Sequence, residues 1–192
     1  MQSRPCNLNL CREIATLLLR EAKMRRLRPW VVAVILILPQ LLRAQASPSD
    51  LSENAACTFA DGKDLSVHFA NTPSPKKDKD FPQGKVWAPG DVPLPLFTST
   101  PLVIGKTDAP IGAYNLYFIP AKDSWTLIVS RNVTAGAKYD ETHDLVRAPM
   151  EVEKLPQPVD QLSVYFGHVA PKVCTMRLDY GKVRATLDFN EK

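Results

Sequence analysis

From Ala55 onward the chain keeps returning to a period of two, the pattern of strands with one face on a core and the other in water. In one run Leu65, Val67 and Phe69 alternate with Ser66 and His68, and the preceding Cys57 shares parity with Phe59. Asp61-Gly62 between these runs tolerates positive φ, so the stretch from Ala56 to Ala70 reads as a β-hairpin. Near the other end, Cys174, Met176, Leu178 and Tyr180 alternate with Thr175, Arg177 and Asp179. Val183, Ala185, Leu187 and Phe189 then alternate with Arg184, Thr186 and Asp188. Gly181-Lys182 separates the two runs and predicts a second tight hairpin.

Four more strands lie between: "AYNLYFI" and "SWTLIVS", joined by Pro120 to Asp123, then "LVRAPMEVEKL" and "QLSVYFGH". No segment carries a convincing helical period. Proline, 17 in all, punctuates nearly every junction. The expected fold is therefore all-β, an antiparallel β-sandwich or jelly-roll-like domain, and not an α/β enzyme. Residues 71 to 83, "NTPSPKKDKDFPQ", read as a solvated loop.

Charge changes the picture only at the N-terminus. The formal net charge is +4, but the first 46 residues hold 8 basic and 2 acidic residues and so contribute +6. From Ser47 onward 16 basic residues face 18 acidic ones, a net of −2. The slightly acidic remainder has no stripe of Lys and Arg for phosphates, which sets nucleic-acid binding aside. In "MRRLRPWVVAVILILPQLLRAQAS" a cluster of arginines precedes an apolar run of 13 positions, Trp30 to Leu42, and then Ala44-Gln45-Ala46. That order predicts a signal peptide over residues 24–46, cleaved after Ala46. The run is shorter than the roughly 20 apolar residues of a membrane-spanning helix, so the membrane is expected as a transient partner only. An uncleaved, membrane-tethered form is the alternative. Residues 1–23 read as an upstream mis-start before Met24 or as an extended n-region, residues 47–54 as a short linker, and residues 55–192 as a single β-rich domain. The expected location is the periplasm or the medium.

Of the four cysteines, Cys6 and Cys11 lie upstream of the cleavage point. Cys57 and Cys174 remain in an exported chain, where compartment favours one disulfide; two separate buried thiols are the competing reading. Both fall on inward-facing positions of strands near opposite ends of the fold, so a bond would tie the first strand to a late one.

The order of segments resembles a bacterial secreted family, the domain of unknown function 2911. The resemblance rests on Cys57-Thr58-Phe59 with Asp61-Gly62-Lys63, Gly84-Lys85-Val86-Trp87, and "IGAYNLYFIPAKDSWTLIVS" from Ile111. "KYDETHDLVR" from Lys138, "EKLPQPV" from Glu153 and "CTMRLDYGKVRATL" from Cys174 complete it. It implies a secreted β-rich protein and supplies no reaction. After the tryptophan that family continues Arg-Thr-Gly-Ala-Asn-Glu, whereas Trp87 is followed here by Ala88-Pro89-Gly90-Asp91-Val92-Pro93, keeping only Gly90. A function that rests on that polar run is therefore lost or altered in this member, and Trp87 is left as a core anchor.

"KYDETHD" gathers the most reactive-looking side chains. Tyr139, Asp140, Asp144 and Arg147 match the family's most regular polar pattern, as a site or as an ion pair fixing a long loop. His143 sits among them, and carboxylates beside an imidazole are potential ligands for a divalent ion. With a single histidine the cluster lacks the nitrogen and sulfur ligands a stable transition-metal site uses, so no metal and no cofactor are expected. His68 and His168 have no evident carboxylate partner, and no nucleophile elbow, paired acids or phosphate loop is visible, so no catalytic residue is assigned. Two functions stay open. One is a non-enzymatic envelope or secreted module that binds an unknown ligand or envelope partner through exposed Tyr114, Tyr117 and Tyr165. The other is a small hydrolase drawing its acid and base from the 139–147 loop.

Overall fold

The computed structural model describes residues 53–75 and 81–192. The leader, the proposed cleavage point and most of the linker lie outside the described residues, as does the centre of the 71–83 loop. What is described is one antiparallel sheet of nine strands. In chain order they are β1 (Glu53–Thr58), β2 (Asp64–Phe69), β3 (Leu94–Thr98), β4 (Leu102–Ile104), β5 (Thr107–Ala109), β6 (Gly112–Ile119), β7 (Ser124–Ser130), β8 (Asp144–Ala170) and β9 (Val173–Glu191). They lie side by side in the order β1-β2-β3-β6-β7-β8-β9-β4-β5. The only helical pieces among the described residues are two 3-10 turns, Pro89–Asp91 and Glu141–His143. The all-β antiparallel expectation holds, with the strands continuous in one open sheet.

The first hairpin forms as its sequence dictates. Gly62 sits at φ +89, a conformation an L side chain resists, and its N–H donates to the Phe59 carbonyl (3.0 Å) to close the turn. Cys57 then pairs with Leu65, and Leu65 and Val67 are buried. The second predicted hairpin does not exist. β9 runs unbroken through Gly181-Lys182, and Gly181, at φ +63, forms an irregularity inside the strand. The extra residues at this register shift belong to β8, and at the positive-φ Gly181, paired with Val159, the buried positions of β9 change from even (Cys174, Met176, Leu178, Tyr180) to odd (Ala185, Phe189). Such a parity change looks the same in sequence as a turn.

The two runs on either side of "EKLPQPV" are likewise one strand. β8 spans 27 residues, and its register against β9 slips between Lys154 and Val159 and again between Val159 and Ser163. Pro156 and Pro158 have no N–H for a ladder, so pairing lapses there while the chain stays extended. The near half of β8 lies between β7 and β9, and the far half pairs with β9 as a hairpin. Its tip comes back to β1, with the Ala60 N–H donating to the Pro171 carbonyl (3.0 Å) and Cys57 bonded to Cys174 across a Cα–Cα distance of 6.3 Å. First strand and last strand are thus joined through the core, where Cys174 is fully buried.

The loop after β2 is less solvated than its composition suggests. Pro73 bridges to Gln161, the Leu162 N–H donates to the Thr72 carbonyl (2.8 Å), and Phe81 is buried. Phe81 enters an aromatic cluster with Trp87, Trp125 and Tyr180, at centroid distances of 5.9, 5.2 and 5.8 Å. Trp87 is half-buried and its own pairing explains its place. β3 covers β6 only as far as Leu116; beyond it, Trp87 exchanges two hydrogen bonds of 2.8 Å with Phe118, filling the vacated edge. Ala88 is buried against Tyr117 and Ile128, Pro89 is buried beside it, and the Gly90-Asp91 turn that follows has both residues at positive φ, +65 and +61.

Candidate functional site

The 139–147 loop is a closed network. Asp140 caps the 3-10 turn, its Oδ1 accepting from the Thr142 N–H (3.0 Å) and hydroxyl (2.8 Å), and the backbone bond to Thr142 holds its carboxyl below the usual range. His143 Nδ1 lies 3.4 Å from Asp140 Oδ2 and the ring is about half exposed. Tyr139 Oη donates to Asp144 Oδ2 (2.7 Å), and Arg147 donates to the same oxygen through Nε (2.8 Å) and to Tyr139 Oη through Nη2 (2.8 Å). Two hydrogen-bond donors therefore converge on Oδ2, while the buried Oδ1 has no partner among the described residues. The bond to Asp144 raises the pKa of Arg147. The structure thus brings Tyr139, Asp144 and Arg147 together and leaves Asp140 and His143 as a separate surface pair.

The tyrosines correct the expected binding surface. Tyr114 and Tyr117 are buried, 6% and 8% exposed, because β6 is central and packs on both faces. Tyr114 Oη donates to the Pro110 carbonyl (2.7 Å) and the Tyr117 ring meets that of Tyr139 edge-on at 5.0 Å. Tyr165 belongs to a second network the sequence pattern did not suggest. Asp179, assigned by parity to the wet face, is buried (4% exposed) and takes a fork from Arg184 through Nε and Nη2, each at 2.7 Å. Tyr165 Oη donates to Asp179 Oδ2 (2.9 Å) and accepts from Arg184 Nη2 (2.6 Å), the same Tyr–Asp–Arg arrangement as in the loop. The bidentate pair, both members on β9, raises the pKa of Arg184, and Tyr165 ties it across to β8.

All five tyrosines of the chain are held above the ordinary phenol value of 10.0, burial being the leading cause in each, and Tyr139 is pushed up to about 12 with Asp144 adding to the effect. A group whose folded pKa is raised contributes stability below its unfolded value and loses it as pH climbs to the folded one. Stability should accordingly be level up to pH 10 and fall from there toward about 12. Phenolate absorbance should rise in one steep step that coincides with loss of circular dichroism. Independent titration of several tyrosines near pH 10 in folded protein would contradict the burial described.

The open concavity lies elsewhere. A pocket of about 740 Å3 is floored by Phe81, Trp125, Val152 and Val183 and rimmed by Lys122, Lys154 and Lys182. Its volume is in the range that holds small molecules. Three elements supply the rim: the β6–β7 turn, the irregular middle of β8, and β9 just past Gly181. The register slip that hid the continuity of β8 and β9 therefore shapes the pocket mouth. Sequence reasoning missed this site; the one available signal was lysine beside the irregular positions, at Lys154 and Lys182.

The match to known families is direct. The model of a protein of unknown function, DUF2911, covers residues 52–189, and the chain belongs to that family. No curated protein and no solved structure matches it.

Proposed function

We propose that this member of the family is an exported, non-enzymatic binding module whose ligand sits in the pocket over Phe81 and Trp125. The observation that carries this reading is the pocket itself, apolar at its floor and about 740 Å3 in volume. The 139–147 loop supports it from the other side. A hydrolase needs an acid and a base free to meet a substrate, whereas Asp140 caps a turn and Asp144 is held by Tyr139 and Arg147. A disulfide between strands fits the oxidising compartment that the leader implies. Export predicts a mature protein beginning at Ser47, read by intact mass.

Filling the pocket tests the proposal. Val183→Trp puts a bulkier, strand-compatible side chain on the floor; because Val183 packs against the core, a cost of about 1 to 3 kcal/mol is expected, and binding is compared well below the melting range of both proteins. Ligand-observed NMR with small aromatic fragments should show binding to the parent and its loss in Val183→Trp. Binding that survives this variant but disappears in Arg147→Ala would move the site to the loop and overturn the reading.

A further inference from the structure

The pocket's charges and its floor ask for two different things of one ligand. The floor is carbon: Phe81 and Trp125, themselves nearly covered, with the half-buried Val152 and Val183 beside them. The rim carries three ammonium groups, and among the described residues none of Lys122, Lys154 and Lys182 has a carboxylate within salt-bridge distance. Of the two acids that line the pocket among the described residues, Glu153 is already turned toward Arg184 (Nη1 to Oε1, 3.3 Å), which leaves Asp123 as the one described acid against three cations. The excess is local, since the chain from Ser47 onward carries a net of −2, 16 basic against 18 acidic residues.

We infer that the pocket takes a small anionic amphiphile: a flat apolar body against Phe81, Trp125 and the valines, with one carboxylate facing the lysine rim. This rests on the proposed binding function and narrows it to a chemical class. The apolar body supplies affinity by leaving water, at a floor already packed and so without ordering cost. The lysines, exposed and flexible, add modest attraction and most of the selectivity. No step of chemistry is required of the protein.

The test is a matched set of probes titrated calorimetrically into the disulfide-bonded protein: 2-naphthoate, the neutral 2-naphthalenemethanol and the cationic 2-naphthylmethylamine. 2-Naphthoate should bind about tenfold more tightly than the neutral probe, the sum expected of a few partly exposed ion pairs. Its advantage should shrink as salt is raised and screens them. In the triple variant Lys122→Gln/Lys154→Gln/Lys182→Gln the anionic and neutral probes should become equal while the melting temperature stays put, since all three side chains are exposed. Equal binding of naphthoate and the alcohol to the parent, or preference for the amine, overturns the anionic class and leaves the pocket standing. If no probe binds the parent, or if each binds Val183→Trp as tightly as it binds the parent, the pocket reading itself falls.

Discussion

Breaking the Cys57–Cys174 bond should cost the fold about 5 kcal/mol, the chain-entropy value for a link across a sequence separation of 117. The size follows from topology. β1 is an edge strand bonded on one side to β2, and the bond fixes it to the start of β9 at the tip of the long hairpin. Without it, two elements at opposite ends of the chain rely on packing and on the backbone bond from Ala60 to Pro171, since among the described residues β1 shares no ladder with the hairpin tip. A loss of that size corresponds to a fall in melting temperature of roughly 10 to 20 °C for a domain this large. Because Cys174 is fully buried, the comparison requires protein unfolded, reduced, alkylated and refolded, or Cys57→Ala/Cys174→Ala. Thermal melts of these against the parent give the answer; an unchanged midpoint would mean that the hairpin is held by other contacts.

The second large effect belongs to the aromatic cluster. Trp125 is 2% exposed and touches Phe81, Trp87 and Phe118 at centroid distances of 5.2, 5.9 and 6.3 Å. Truncating it removes burial and leaves a cavity that strands on either side cannot close, so Trp125→Ala should destabilise by about 3 to 5 kcal/mol. Trp87 contacts the same cluster, 5.6 Å from Tyr180, but it is only half-buried. Trp87→Ala should accordingly cost less, about 2 to 3 kcal/mol, while its backbone bonds to Phe118 persist. Urea unfolding of the two variants reads the difference. A Trp87→Ala protein as stable as its parent would mean that the tryptophan is a surface group, available to a ligand.

The strands themselves were legible because their cause is local. Alternation in Leu65–Phe69 and in Cys174–Tyr180 is set by one buried face, and Asp61-Gly62 marks its turn by backbone freedom alone. What joined those strands was not local. Gly181 breaks the alternation without ending the strand because β8 continues opposite it, and Pro156 and Pro158 remain in an extended strand because their partners there are released; neither fact exists within the segment that carries the residue. Asp179 was hidden for the same reason, its alternation predicting water where Arg184, five residues along β9, supplies a buried counter-charge. The loop cluster was legible as composition, and Tyr139, Asp144 and Arg147 do meet. The pocket was not, since its floor is assembled from Phe81, Trp125, Val152 and Val183, which no spacing relates.

The central claim is that this fold binds a small molecule over Trp125 and not at the 139–147 loop. It is tested most directly by mapping amide shifts in the labelled, disulfide-bonded protein as 2-naphthoate is added. The account predicts that the largest changes fall on Phe81, Trp125, Val152, Lys154, Lys182 and Val183, with Tyr139 to Arg147 unmoved. Shifts concentrated between Tyr139 and Arg147, with the pocket residues silent, would contradict it.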